Sequence, residues 1–223
     1  MADDSASKLP GSNRPDSDMR PIANFMFEVG MLNRTPRSGF QFLGSGKQSV
    51  AEHLLRVTYL AFAMGRLVAE VNADRLLRMC LLHDLPEART GDLNYENKKY
   101  VKADEDKALR ELAGTLPFGD ELLELHHEFE AGETLEARLA RDCDQLEMIL
   151  FLKEQKDVGN PQTDDWIPFA LKRLTEPVSR QLAKTILQTN SNDWWFGERD
   201  DWWILAGRDR GHPDADPDVV GER

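Results

Sequence analysis

Two places in the chain combine residue types able to hold a metal ion: His53, with Glu52 before it, and the adjacent pair His83-Asp84. Imidazole is a common ligand for transition metals, and carboxylates complete sites for harder divalent cations. The pair closes an apolar run that includes Leu76, Leu77, Met79, Cys80, Leu81 and Leu82, so it sits at the end of what reads as a buried helix. Removing a carboxylate from water costs on the order of several kcal/mol unless it is paired or metal-bound. A cation offsets that cost. A histidine-aspartate dipeptide alone says little, because most such pairs cap a helix or satisfy one another.

The elements that must position these residues read as helices. Ser49-Val-Ala-Glu52 has the form of a capping box, in which Ser49 and Glu52 each satisfy a free amide, and it starts a helix running to about residue 71 with His53 in its first turns. A second helix spans residue 73 to about 87. An earlier helix begins near Ile22, with Phe25, Met26, Val29 and Leu32 at helical spacing, and residues 33–47 read as a loop containing Pro36, Gly39, Gly44 and Gly46. Residues 90–99 are polar. Further helices are expected over 103–116, 120–131, 134–155, 166–174 and 176–189, with breaks at Pro117-Phe118-Gly119, Gly132 and 157–165. No sustained alternation marks a strand and no repeat is evident, so the expected class is all-α: one helical bundle with extra C-terminal helices. Residues 1–18 and 206–223 read as disordered flanks of a single domain over 19–205.

Composition narrows the partners. Asp and Glu number 40 against 28 Lys and Arg, a net charge of −12. Such a surface repels a phosphate backbone and argues against a nucleic-acid binder. A small anion is still admissible, since a metal and a few local cations reverse the field inside one cleft. No apolar run approaches the roughly 20 residues that span a bilayer, and the polar start has no secretory pattern, so no membrane partner and a cytoplasmic location are expected. Cys80 and Cys143 read as free thiols.

Four motifs follow in fixed order: Ser49-Val-Ala-Glu-His53, Leu81-Leu-His-Asp-Leu-Pro-Glu-Ala88, Gly91-Asp-Leu93 and Arg141-Asp-Cys-Asp-Gln-Leu-Glu147. In this series the chain resembles the HD-domain phosphohydrolases, and within them the branch of bacterial 5′-deoxynucleotidases and eukaryotic HD-domain-containing proteins. The resemblance covers residues 25–155. It implies one divalent cation held by His53, His83, Asp84 and Asp144. Asp142, two residues earlier, lies about 200° around the helix and cannot face the same cleft. An N2O2 set nearly balances a divalent cation and admits Mn, Co, Fe or Zn more readily than Mg.

The resemblance further implies catalytic roles for Glu87 and Asp92, in orienting water and handling protons. It places Arg37 and Phe40 against the substrate, with Phe40 where relatives usually carry Trp, and Arg34 nearby. Lys98 is a further candidate cation for the phosphate. The activity implied is removal of phosphate from nucleoside 5′-monophosphates, chiefly deoxyribonucleotides, by a homodimer. The alternatives are a non-catalytic nucleotide-binding protein, or a dinuclear phosphodiesterase or oxygenase that would recruit His126 or His127. Arg56, one turn after His53, is expected to pair a carboxylate. The tryptophans at 194, 195, 202 and 203 are expected to pack a C-terminal segment onto the core or a second subunit.

Overall fold

A computed structural model describes residues 18–196. The segment expected to be disordered up to residue 17, the tail from 206, and Trp202 and Trp203 lie outside the described residues. The described chain is helical, its one strand-type pairing being an isolated antiparallel bridge between Pro36 and Ser49. The helices are α1 (Arg20–Val29), α2 (Phe40–Leu43), α3 (Val50–Leu67), α4 (Ala73–Leu82), α5 (Glu87–Thr90), α6 (Glu105–Ala113), α7 (Gly119–Ala131), α8 (Leu135–Asp157), α9 (Thr163–Arg173), α10 (Pro177–Gln188) and α11 (Asp193–Phe196).

Local chemistry sets the boundaries of the site-bearing helices. The capping box at the start of α3 forms as the sequence predicts, Ser49 Oγ accepting from the Glu52 amide and the Glu52 carboxylate from the Ser49 amide. Helix α3 stops at Leu67, short of the expected 71, because the chain turns extended at Val68 and Asn72 caps α4 through the Arg75 amide. Helix α7 ends on Gly132, whose positive φ of 66° suits glycine, and Thr134 then caps α8. Inside the expected 33–47 loop, Phe40–Leu43 forms the short helix α2.

The largest difference from expectation lies between α4 and α5. The expected helix to residue 87 ends at Leu82, and residues 83–86 form a turn. Pro86 explains it: with no N–H it cannot donate to the Leu82 carbonyl, which instead accepts from the Leu85 amide at 3.0 Å. The ring then starts α5. His83 and Asp84 therefore occupy a turn between two helices, not the helix itself.

The main core forms where α3, α4 and α8 meet, with Val57, Met64, Met79, Leu139, Leu146 and Ile149 almost fully buried, and α9 and α10 pack on α8. Phe40 and Phe151 stack in this core, centroids 3.8 Å apart. Gly46, at φ 76°, lies so close to the Phe151 ring that a Cβ there would collide with it. A second core joins α1, α3, α6 and Leu85. Cys80 and Cys143 are buried free thiols.

Candidate active site

His53 projects from α3 and is wholly buried. Its Nδ1 lies 2.6 Å from Glu147 Oε2. Glu147, itself buried, also accepts from Gln48 Nε2 at 2.7 Å and from Arg56 Nε at 3.0 Å. A carboxylate at that distance fixes the tautomer: Nδ1 carries the proton, and Nε2 presents its lone pair to the interior. His83 repeats the device. Its Nδ1 donates to the Cys80 carbonyl at 2.9 Å, in the last turn of α4, and its Nε2 is directed inward.

Both Nε2 atoms are buried without a hydrogen-bond partner. They face carboxylates. His53 Nε2 lies 3.2 Å from Asp144 Oδ1 and 3.5 Å from Asp84 Oδ2, and His83 Nε2 is 3.4 Å from Asp84 Oδ1. Donor atoms of His53, His83 and Asp144 all fall within 4.8 Å of one another. Lone pairs aimed at anions repel unless a positive charge lies between them. Two oriented imidazoles and two carboxylates fit a divalent cation on that ground.

The charges show the same demand. Burial and the Arg37 guanidinium push the His53 imidazole down, but Asp144 and Glu147 outweigh them and hold it at about 9. Burial pushes Asp144 up, and the two histidines with Arg37 pull it well below the usual carboxylate range. Arg37 Nη1 lies 3.3 Å from Asp84, and Arg37 Nη2 lies 3.9 Å from Asp144. A guanidinium thus already neutralises part of the acidic cluster.

Glu87, at the start of α5, is 7% exposed, and its Oε2 has no hydrogen-bond partner. Burial, then the neighbouring Asp84 and Asp92, push its carboxyl up to about 10. Asp92 accepts from the Ser38 amide and lies 3.9 Å from Arg37, so it ties the Arg37 loop to the site. Arg37, Asp84, Glu87, Asp92 and Asp144 line a cleft of about 590 Å³, as does the exposed Lys98. Phe40 lines its wall but is only 5% exposed and stacked on Phe151. Arg34 is exposed beyond the 3-10 turn Gly30–Asn33 and does not line the cleft.

Several neighbours carry no local signal in the sequence. Glu147 is visible as a residue one turn beyond Asp144, but nothing local pairs it with His53. Arg56 does pair carboxylates, Glu147 and Glu154. Asp142 is buried, accepting from the Thr175 and Glu176 amides at 2.8 Å each, away from the cleft. His127 is exposed and bonds Asp106. His126 is buried, but neither histidine joins the His53–His83–Asp144 cluster among the described residues.

The fold and site together define a protein that is helical over its described residues, with a histidine and aspartate cluster able to hold a metal ion. The model of the HD domain family matches residues 29–186. The chain belongs to the HD-domain family. It is 32% identical to the 5′-deoxynucleotidase HDDC2 of Bos taurus, over 84% of this chain and 95% of that protein. The 5′-deoxynucleotidase hdd1 of Schizosaccharomyces pombe is 28% identical over 78% of this chain and 92% of its own length. Among solved structures, a predicted metal-dependent phosphohydrolase from Magnetospirillum magnetotacticum superposes with a TM-score of 0.63 at 26% identity, covering 78% of this chain and 93% of that one.

Proposed function

We propose that this protein is a metal-dependent phosphomonoesterase that removes phosphate from nucleoside 5′-monophosphates, with deoxyribonucleotides preferred. The observation that carries the reading is the pair of buried, unpartnered Nε2 atoms converging on Asp84 and Asp144 beside a fixed guanidinium. Relatives named 5′-deoxynucleotidase, aligned over most of their length, support the substrate class.

His53, His83, Asp84 and Asp144 would hold one divalent cation: Mn, Co, Fe, Zn or Mg. When bound, it supplies positive charge against the phosphoryl group and acidifies a water. Arg37, with Lys98 at the rim, holds phosphate oxygens, and charge stabilisation of this kind dominates phosphoryl transfer. Water supplies the new oxygen on phosphorus, and the bond to the 5′ oxygen breaks. Glu87 and Asp92 between them take a proton from that water and give one to the leaving oxygen. Glu87 suits the donor role, since burial and the neighbouring Asp84 and Asp92 raise its carboxyl. Phe40 shapes the wall behind Arg37.

The catalytic unit is the single domain over residues 19–205, placed in the cytoplasm, where the buried thiols stay reduced. No described helix is long and apolar enough to cross a membrane. The unit pairs as a homodimer through an exposed apolar stripe on α3, where Leu55, Tyr59 and Phe62 are 61%, 69% and 56% exposed.

The test is phosphate release from a panel of ribo- and deoxyribonucleoside 5′-monophosphates with Mn or Co, and with a chelator as control. Chelator-sensitive release favouring deoxy substrates is expected. Metal-loaded protein that releases phosphate from none of them contradicts the reading.

A further inference from the structure

The cleft is chemically two-sided. Along α8 the lining residues Asp144, Met148 and Leu152 follow one another at four-residue steps, so the cleft passes from Arg37, Asp84, Glu87, Asp92 and Asp144 at one end to an apolar and aromatic end. Phe42 reaches that second end from α2, Met148 from α8, and Trp166 and Phe169 from α9. Trp166 and Phe169 are three residues apart and so share one face of their helix. Trp166 is half-buried and packs against the core, whereas Phe42 and Phe169 are 54% and 62% exposed. Exposed rings inside a concave site, continuous with a charged end, match a ligand that carries an apolar part beside its charge. A phosphate ester without such a part would leave them wet.

A polar edge runs beside this end. Gln145 Nε2 donates to Asp144 Oδ2 at 2.9 Å, and Arg173 Nη1 donates to Gln145 Oε1 at 3.3 Å. The Arg173 guanidinium also lies over the Tyr95 ring, 4.1 Å from its centroid, and bonds the Tyr95 hydroxyl. This joins α9 to the polar loop that follows Asp92. A planar group lying between aromatic walls would find donors and acceptors at its rim here, the arrangement by which pockets combine stacking with orientation.

We infer that the aromatic end of the cleft, between Phe42 and the Trp166–Phe169 face of α9, seats the base of a nucleotide, with Gln145 and Arg173 at its edge. The inference rests on the phosphomonoesterase reading above and names the residues that make the substrate a nucleotide instead of a sugar phosphate. The phosphate lies at the Arg37 end, and the sugar spans the two.

The experiment compares kcat/KM for deoxyadenosine 5′-monophosphate with that for 2-deoxyribose 5-phosphate, with Mn present, in wild type, Phe169→Ala and Phe169→Trp. Phe169 is exposed, so its replacement leaves the core intact. The wild type is expected to favour the nucleotide. Phe169→Ala should lower that preference about tenfold, the scale of one lost base–aromatic stack, and Phe169→Trp should restore it. An unchanged preference in Phe169→Ala, or a wild type that turns over the sugar phosphate as well as the nucleotide, overturns the base seat while leaving the phosphatase standing. Release from neither substrate removes the phosphomonoesterase reading instead. Calorimetry with deoxyadenosine then decides the seat alone: binding weakened about tenfold by Phe169→Ala supports it, and no binding to wild type overturns it.

Discussion

At the scale of single residues, the site depends on which nitrogen of each imidazole is committed elsewhere. Glu147 and the Cys80 carbonyl each occupy an Nδ1, which leaves both Nε2 atoms for a cation. Groups that orient a metal-binding histidine in this way matter nearly as much as the ligand, and their loss costs about 10–100-fold in metal affinity. Glu147→Gln is therefore expected to weaken metal binding by about that factor, measured by competition with a chromophoric chelator. Unchanged affinity would mean that Glu147 serves stability only. Protons compete for the same lone pairs. His53 is raised to about 9 in the metal-free site, so its contribution to stability is full below its unfolded value of 6.5 and is lost as pH rises through about 9. A cation must displace that proton. Metal affinity is expected to climb with pH between these values, by up to about tenfold per unit for one released proton. An affinity flat over that window, by titration calorimetry in buffers of different ionisation enthalpy, would contradict the assignment.

At the scale of elements, the positions of His83 and Asp84 follow from one proline. Pro86 ends α4 and re-aims the chain, so His83 and Asp84 leave the helix axis where α3 and α8 converge. The capping box of α3 and the Gly132–Thr134 break before α8 are readable in the sequence, because caps and turn residues act locally. The end of α4 is harder to read, although the proline is in view, because the unbroken apolar pattern through Leu82 suggests a helix continuing to Glu87. Asp142 and Asp144 show the reverse case. Helical phase alone separates them, and in the structure Asp142 serves elsewhere, satisfying two amides ahead of α10. Asp142→Ala should cost about 1–3 kcal/mol, lowering Tm by about 2–4 °C per kcal/mol in a domain this size, as read by thermal unfolding. An unshifted Tm would show that those amides find other partners.

At the scale of the whole molecule, the proposed function asks a chain of net charge −12 to bind an anion, which needs positive charge concentrated locally. In that proposal Arg37 supplies part of it and a cation the rest. The charged end of the cleft is legible in the sequence because Asp84, Glu87, Asp92 and Asp144 sit in short motifs. The aromatic end is not, because Phe42, Met148 and Trp166 meet only after α2, α8 and α9 pack, and no local pattern records that meeting. The same holds for the α3 stripe, where Leu55, Tyr59 and Phe62 share one helix face, yet their exposure emerges only from the packing of the other helices. Tyr59→Glu with Phe62→Glu is expected to convert a dimer to a monomer by light scattering with chelator-sensitive phosphatase activity retained. A wild type that elutes as a monomer would remove the proposed interface.

The central claim is that His53, His83, Asp84 and Asp144 hold one divalent cation. It is tested most directly by metal content per chain after loading with Mn or Co and desalting, for wild type, His83→Ala, Asp144→Ala and Asp142→Asn. About one equivalent is expected in wild type and Asp142→Asn, and close to none in the other two. Full occupancy in His83→Ala or Asp144→Ala, or about two equivalents in wild type, would contradict it.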